Sequence, residues 1–223
     1  MQIALFTLFP HFFDSFFEQS LWAKAVDKKL ISFSVIDIRQ YATDKHQVTD
    51  DRPFGGGPGM IMKVEPIDRA VSQWKEQLLS NNTATRIQTV LTSATGVDCT
   101  QERVRSLAQL DAVGIVCGHY GGVDERVLEL GIVDQEIRVG SAVLSGGEPA
   151  AIYITDAVSR LVPGFMGNQQ SIIGESHDEP GLGGYPQYTR PEVYKTKSVP
   201  EVLKSGNHAE IKAWKEQHRK KLG

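Results

Sequence analysis

Apolar and polar positions alternate along this chain in two periods. Runs rich in β-branched and aromatic residues, at 2–8, 31–38, 86–92, 112–117 and 135–139, predict strands. Segments with apolar residues three and four apart, at 12–26, 64–79, 100–110, 123–130 and 148–161, predict amphipathic helices. Strand followed by helix at this spacing argues for an α/β protein with a mostly parallel sheet covered by helices. The pattern changes at 163–191. That stretch holds Gly164, Gly167, Gly174, Gly181, Gly183 and Gly184 with Pro180 and Pro186, and few aliphatic residues. It predicts an extended linker, of a length that is usually functional or disordered. Beyond it, Asn207 with Glu210 three residues on resembles a capping box. The helix it opens would carry Ile211, Trp214 and His218 on one face and lysines on the others.

Composition narrows the class. Hydrophobic residues make up 40% and charged residues 23%, in the range of soluble globular proteins. No apolar stretch reaches the ~18 residues of a membrane helix. The opening MQIALFTLFP reads as a first strand, without the basic start of a signal peptide. Cys99 and Cys117 cannot build a disulfide framework, so reduced thiols and a cytoplasmic location are expected. The formal net charge is −3, unevenly spread. Residues 195–223 hold eight lysines and arginines against three glutamates, a balance of +5 that leaves −8 on the remainder. Such a tail is either a solvated helix face or a phosphate-contacting surface.

The candidate chemistry is in loops. Glycine-containing segments follow three successive strands: 91–96 with Leu91, Thr92, Ser93 and Gly96; 118–122 from Gly118; and 139–147 with Val139, Gly140, Ser141, Ala142, Val143, Leu144, Gly146 and Gly147. Ligands bind at the carboxyl ends of strands in open α/β sheets, and glycines there let backbone amides approach a flat purine. Three ordinary turns would read the same way. There is no GxxxxGK[ST], and no GxGxxG follows the first strand, which excludes the common phosphate-loop and dinucleotide signatures. His46, His119, His177 and His208 lack metal-ligand spacing. The densest signal is DDRPFGGGPGM at 50–60. Asp50 and Asp51 could accept from the donors of a guanine Watson–Crick edge while Arg52 donates to its oxo group. A solvated surface loop fits the same residues. Arg160 could serve a site or complement a helix dipole. Glu175 and Asp178 could serve a site or face solvent.

The stretches LFP (8–10), DDRPFGGGPGM (50–60), VCGHYGGVDERV (116–127), VLSGGE (143–148), DAVSRLVPG (156–164), YTRPEV (188–193) and VPEVLKSGNHAEIKAW (199–214) resemble the tRNA (guanine-N1)-methyltransferases of the TrmD type, in family order across nearly the whole chain. The resemblance implies S-adenosylmethionine (AdoMet) dependent methylation of the guanine at tRNA position 37, next to the anticodon. It implies a SPOUT-type parallel sheet with a C-terminal deep trefoil knot, against the general rule that folds are unknotted. A homodimer and a small helical C-terminal domain are also implied. Residues 1–165 would then bind AdoMet through the three loops, 166–187 would be a linker carrying the base, and 188–223 would contact tRNA. Arg160 matches the family's stabilising arginine, and Asp50 and Arg52 match the guanosine-gripping loop. Glu175 stands at the position of the general base, usually Asp, with Asp178 as a rival. A magnesium dependence is implied without any carboxylate cluster to mark its site. Gly121 stands where the family usually has Glu, and Ser141-Ala142 where it has Asp-Tyr. Gly181-Leu-Gly-Gly184 replaces a GLL-type stretch. The sequence stops soon after the Asn207 helix, which puts more of the tRNA contact on the basic tail. These departures leave an alternative, a tRNA-binding SPOUT protein with an altered target or lost catalysis. The linker is expected to order only with tRNA.

Overall fold

A computed structural model describes residues 1–18, 20–167, 175–177, 179 and 181–222. The chain divides into two compact units, Met1–Gly167 and Asn168–Gly223. In the first, β1 (Gln2–Thr7) leads through a 3-10 turn, Pro10–Phe13, into α1 (Asp14–Phe17) and α2 (Ser20–Asp27). Next come β2 (Ser32–Asp37), a 3-10 turn Ile38–Tyr41, and the two-residue strands β3 (Asp50–Asp51) and β4 (Ile61–Met62). They are followed by α3 (Val64–Ser80), β5 (Ile87–Asp98), α4 (Gln101–Ala108), β6 (Ala112–Cys117), α5 (Arg126–Glu129), β7 (Gln135–Arg138) and α6 (Glu148–Ser159). The second unit holds β8 (Val193–Tyr194), β9 (Lys197–Ser198), α7 (Glu201–Lys204) and α8 (His208–Gln217).

The main sheet runs β2-β1-β6-β5-β7, and every pairing is parallel. Its centre is β6, buried at all six positions. Side chains alternate across the sheet and split the core in two. Ala4, Phe6, Ala112 and Val116 meet Ile67, Ala70, Val71 and Trp74 of α3. Ile3, Leu5, Val113, Ile115 and Cys117 meet Leu107 of α4 and Ala151, Ile154 and Val158 of α6. The α3 face is the one its periodicity predicts, with Val64, Ile67, Val71, Trp74 and Leu78 buried. Trp74 lies edge-on to Phe6, centroids 5.6 Å apart. Gly114 makes room for it, since a Cβ there would lie 3.0 Å from the indole.

The sequence-based boundaries shift at three places. The helix expected at 12–26 is a 3-10 turn followed by two short helices, because Pro10 opens a tight turn and the aromatic run packs on itself. The helix expected at 123–130 shrinks to Arg126–Glu129, because Val123 bridges Met62 and the Asp124 amide donates to the Met62 carbonyl. The first glycine loop is no loop: β5 continues to Asp98, pairing with β7 again at Val97 after an irregularity.

At the amino end of β5, Asp111 closes the turn. Its carboxylate accepts from the Arg86 guanidinium (2.7 Å), the Arg86 amide (2.9 Å), and the Thr85 amide and hydroxyl (both 3.1 Å). Arg86, first through its side chain and then its amide, holds the Asp111 carboxyl well below the usual carboxylate range. In the second unit, β8 and β9 form a hairpin. Asn207 caps α8, accepting from the Ala209 and Glu210 amides. Trp214 and His218 stack at 4.1 Å along one side of α8. The Gly183 amide donates to the Lys220 carbonyl and the Leu222 amide to that of Gly181, so Gly181–Gly183 is zipped to Lys220–Leu222.

Trp74→Ala should cost about 3–5 kcal/mol in urea unfolding, through lost burial and the cavity left behind. A carboxyl depressed in the folded state contributes stability that is present above its unfolded pKa of about 4 and lost as pH falls through the folded value. Asp111→Asn should therefore lower stability at pH 7, and the gap to wild type should narrow as the urea titrations move below about pH 4.

A glycine-walled cleft at the carboxyl ends of the sheet

The middle of β5 and the carboxyl ends of β6 and β7 converge on one cleft of about 350 Å³. One wall is Leu91, Thr92 and Ser93 of β5, a second is Gly118 through Val123, and the third is Glu136 to Gly140 with Ala142 to Gly147. Thr92 is the hinge between them. Its hydroxyl donates to the Val116 carbonyl (3.3 Å) and accepts from the Gly118 amide (3.1 Å). The third segment crosses back from the edge of the sheet to its centre, where the Gly147 amide donates to the Gly118 carbonyl at 2.8 Å. His119 and Gly146 form an isolated bridge beside it.

These approaches require glycine. A Cβ on Gly147 would overlap the Thr92 hydroxyl and come within 2.7 Å of the Gly118 amide nitrogen. One on Gly146 would overlap the His119 imidazole, and one on Gly118 would stand 2.7 Å from the Thr92 carbonyl. Gly96 lies off the cleft wall, where a Cβ would sit 2.6 Å from the Glu136–Ile137 peptide. Its role is the close passage of β5 over β7. Ser141 is exposed and also off the wall. Gly140 and Ala142 line the cleft, as do Val143, 88% exposed, and Leu144.

The hairpin β3–β4 was not legible in the sequence, and it ties the charged loop to the cleft. Asp50 pairs with Met62 and Asp51 with Ile61. The Gly121 amide donates to the Met60 carbonyl (2.9 Å), and the Met62 amide to that of Gly122 (3.0 Å). Asp50 is half-buried, while Asp51, Arg52 and the ring of Phe54 are exposed. Gly55, Gly56, Gly57 and Gly59 all have positive φ, which explains the glycine run between the two strands.

Arg160 is the C-cap of α6 in the first unit. Burial raises the Asp156 carboxyl one turn earlier, and Arg160 opposes that rise. Glu175 belongs to the second unit and is half-buried. Asp178 lies outside the described residues, as do 168–174 and 180, so the expected ordering of the linker does too. Among the described residues no group of three or more His, Cys, Asp or Glu could hold a metal ion. No helix among them is long and apolar enough to cross a membrane.

Sequence reasoning passed over two cleft-side residues. Glu148, 2% exposed, opens α6 directly after Gly146-Gly147, where the helix dipole favours a carboxylate. His119 meets it at 3.1 Å. The signal was an acid following two glycines and preceding Pro149, a helix start with a buried first turn. Burial, reinforced by the Glu148 charge, pushes the Cys117 thiol up, which makes it inert.

A parallel sheet with a glycine-walled cleft beside its strand ends defines an open-sheet α/β domain, the class in which ligands are usually taken at that position. The family model for tRNA (Guanine-1)-methyltransferase TrmD matches residues 1–222. The chain is 41% identical over 215 residues to a tRNA (guanine-N(1)-)-methyltransferase of Persephonella marina, spanning 96% of this chain and 82% of that protein. It is 45% identical over 224 residues to one of Citrifermentans bemidjiense (100% and 87%) and 42% over 222 residues to one of Staphylococcus carnosus (100% and 86%). The chain belongs to the tRNA (guanine-1)-methyltransferase family.

Gly147→Ala should cost about 1–3 kcal/mol in urea unfolding, since the backbone must move to admit the methyl group between Thr92 and Gly118.

Proposed function

We propose that this protein methylates N1 of the guanine at tRNA position 37, with AdoMet as methyl donor. The family match over residues 1–222 and relatives named for that activity carry the reading. The cleft fits the donor in size and chemistry. Its walls bring backbone close at glycines and add apolar Leu91, Val143 and Leu144, suited to the faces of an adenine. AdoMet supplies an already activated methyl group on a sulfonium.

The nucleophile is the difficult partner, because guanine N1 carries a proton at neutral pH. A base must take that proton, and a cation must offset the charge that grows on the oxo group. We assign the base to Glu175, with Asp178 as the rival, and the stabilising cation to Arg160. Glu is one methylene longer than the family's usual Asp and can serve as the same kind of base once the loop adjusts. Asp50, Asp51 and Arg52 are assigned to gripping the guanosine. The hairpin that carries them is hydrogen-bonded to the second wall of the cleft, which supports that assignment. Leu91, Thr92, Ser93, Gly96, Gly118, Val139 to Leu144, Gly146 and Gly147 are assigned to the AdoMet site, Gly96 and Ser141 from behind its wall. The family's deep trefoil knot would involve the segment 139–147. Its return from the sheet edge to Gly118, beside a β5 that runs on past β7, is in keeping with such a crossing. A homodimer, a tRNA-contacting C-terminal unit with the basic tail, and a cytoplasmic location complete the reading.

The test is methyl-labelled AdoMet with two tRNA transcripts, one with guanosine and one with adenosine at position 37. Label should enter only the guanosine transcript. AdoMet binding without label in either would favour the alternative, a tRNA-binding relative with altered target or lost catalysis. Glu175→Gln should lower kcat by about 10²–10⁴-fold, as removal of a general base does, with AdoMet affinity unchanged. An unchanged kcat, with the loss appearing in Asp178→Asn, would move the base to Asp178.

A further inference from the structure

A buried titratable pair stands behind the cleft with no part in the chemistry above. His119 lines the cleft, and its side chain is 17% exposed; that of Glu148 is 3% exposed. The imidazole Nε2 lies 3.1 Å from Glu148 Oε2. Glu148 Oε1 accepts from the Thr7 hydroxyl at 2.7 Å, and that hydroxyl accepts from the Phe9 amide at 2.9 Å. The Phe9 ring sits 4.8 Å from the imidazole and the Tyr120 ring 5.6 Å. The carboxylate thereby joins the end of β1, the start of α6 and the second wall of the cleft.

Stability alone is a poor reason for such a pair. Taking a carboxylate out of water costs several kcal/mol, and apolar replacements of buried pairs are often neutral or stabilising. The geometry gives another reason. Gly146, in the third wall, is wedged against both the imidazole and the Glu148 carboxylate. The second and third walls are otherwise joined by backbone alone, through the Gly147–Gly118 bond and the His119–Gly146 bridge. The imidazole–carboxylate bond adds a side-chain link from the second wall to the start of α6, directly after the third.

We propose that His119 is a positioning residue for the donor cleft: held by Glu148, it fixes how segment 139–147 closes on segment 118–122 and so sets AdoMet affinity. This rests on the reading of the cleft as the AdoMet site. Because His119 acts through the walls and not on the guanine, its loss should raise the AdoMet Kd and KM and leave kcat at saturating AdoMet intact.

The test is a double-mutant cycle on AdoMet binding by calorimetry, with wild type measured first. His119→Ala and Glu148→Gln should each raise Kd about tenfold, the effect of losing one charge-assisted hydrogen bond. The double variant should be no worse than the poorer single one, because the two act as one unit. At saturating AdoMet, kcat and the KM for tRNA should stay within about twofold. His119→Gln, which presents an amide donor near the position of Nε2, should recover affinity to within about threefold, while His119→Leu, similar in volume, should not. That last comparison carries the test if Glu148→Gln does not fold. Equal affinities for the Gln and Leu variants, additive losses in the cycle, or a fall in kcat with unchanged KM would overturn the proposal. Wild type that fails to bind AdoMet would overturn the site reading itself, and the proposal with it.

Discussion

The Gly147 amide bonded to the Gly118 carbonyl is the contact on which the rest of the first unit turns. It pins a segment that leaves the sheet at its edge to the end of the central strand. From that point α6 sets out across the sheet face and buries Ala151, Ile154 and Val158. The contact exists because Gly118 and Gly147 meet around Thr92, and Gly146 lies against His119 and Glu148, with no room for a side chain at any of the three. Cleft and core are therefore one construction. The cleft walls are the strand ends and the helix start that the core needs in order to close.

What could be read beforehand follows from what periodicity encodes. The strands β1 and β6 and the long helix α3 were legible because each buries a regular face, or both faces, over several residues. The segment 91–96 was misread because glycine has two meanings. It marks a turn, or a place where a second backbone passes close by, and Gly96 is the second kind. The hairpin β3–β4 was invisible because two-residue strands carry no period. Two of the cleft walls, 118–122 and 139–147, stand out in the sequence as glycine clusters, but their convergence came from the strand order, which no local signal gives. The His119–Glu148 pair escaped because its partners are 29 residues apart and each has an ordinary reading alone.

The second unit is built on another principle. Among its described residues only Gly183 is buried, and α7 and α8 bury nothing. Its order comes from polar links: Arg219 to Glu179 and to the Gly183 carbonyl, Lys204 to Glu201 and Glu192, and Asn207 to the start of α8. The Lys204 pairs are largely exposed, and such pairs contribute little each and weaken with salt, whereas the Arg219 side chain is 8% exposed. A unit so held presents its lysines outward without a large apolar core behind them.

A cleft walled by backbone has an evolutionary side. Where backbone packs on backbone, substitution cannot be graded: at Gly118, Gly146 or Gly147 any side chain is an obstruction, so these sites are all-or-nothing under selection. Tolerance must gather where side chains point to open space. Gly140 has nothing within 4 Å of its missing Cβ, and Ser141 and Ala142 beside it are exposed. Lineages should therefore diverge at that stretch first, keeping one cleft backbone while changing the residues draped along its rim.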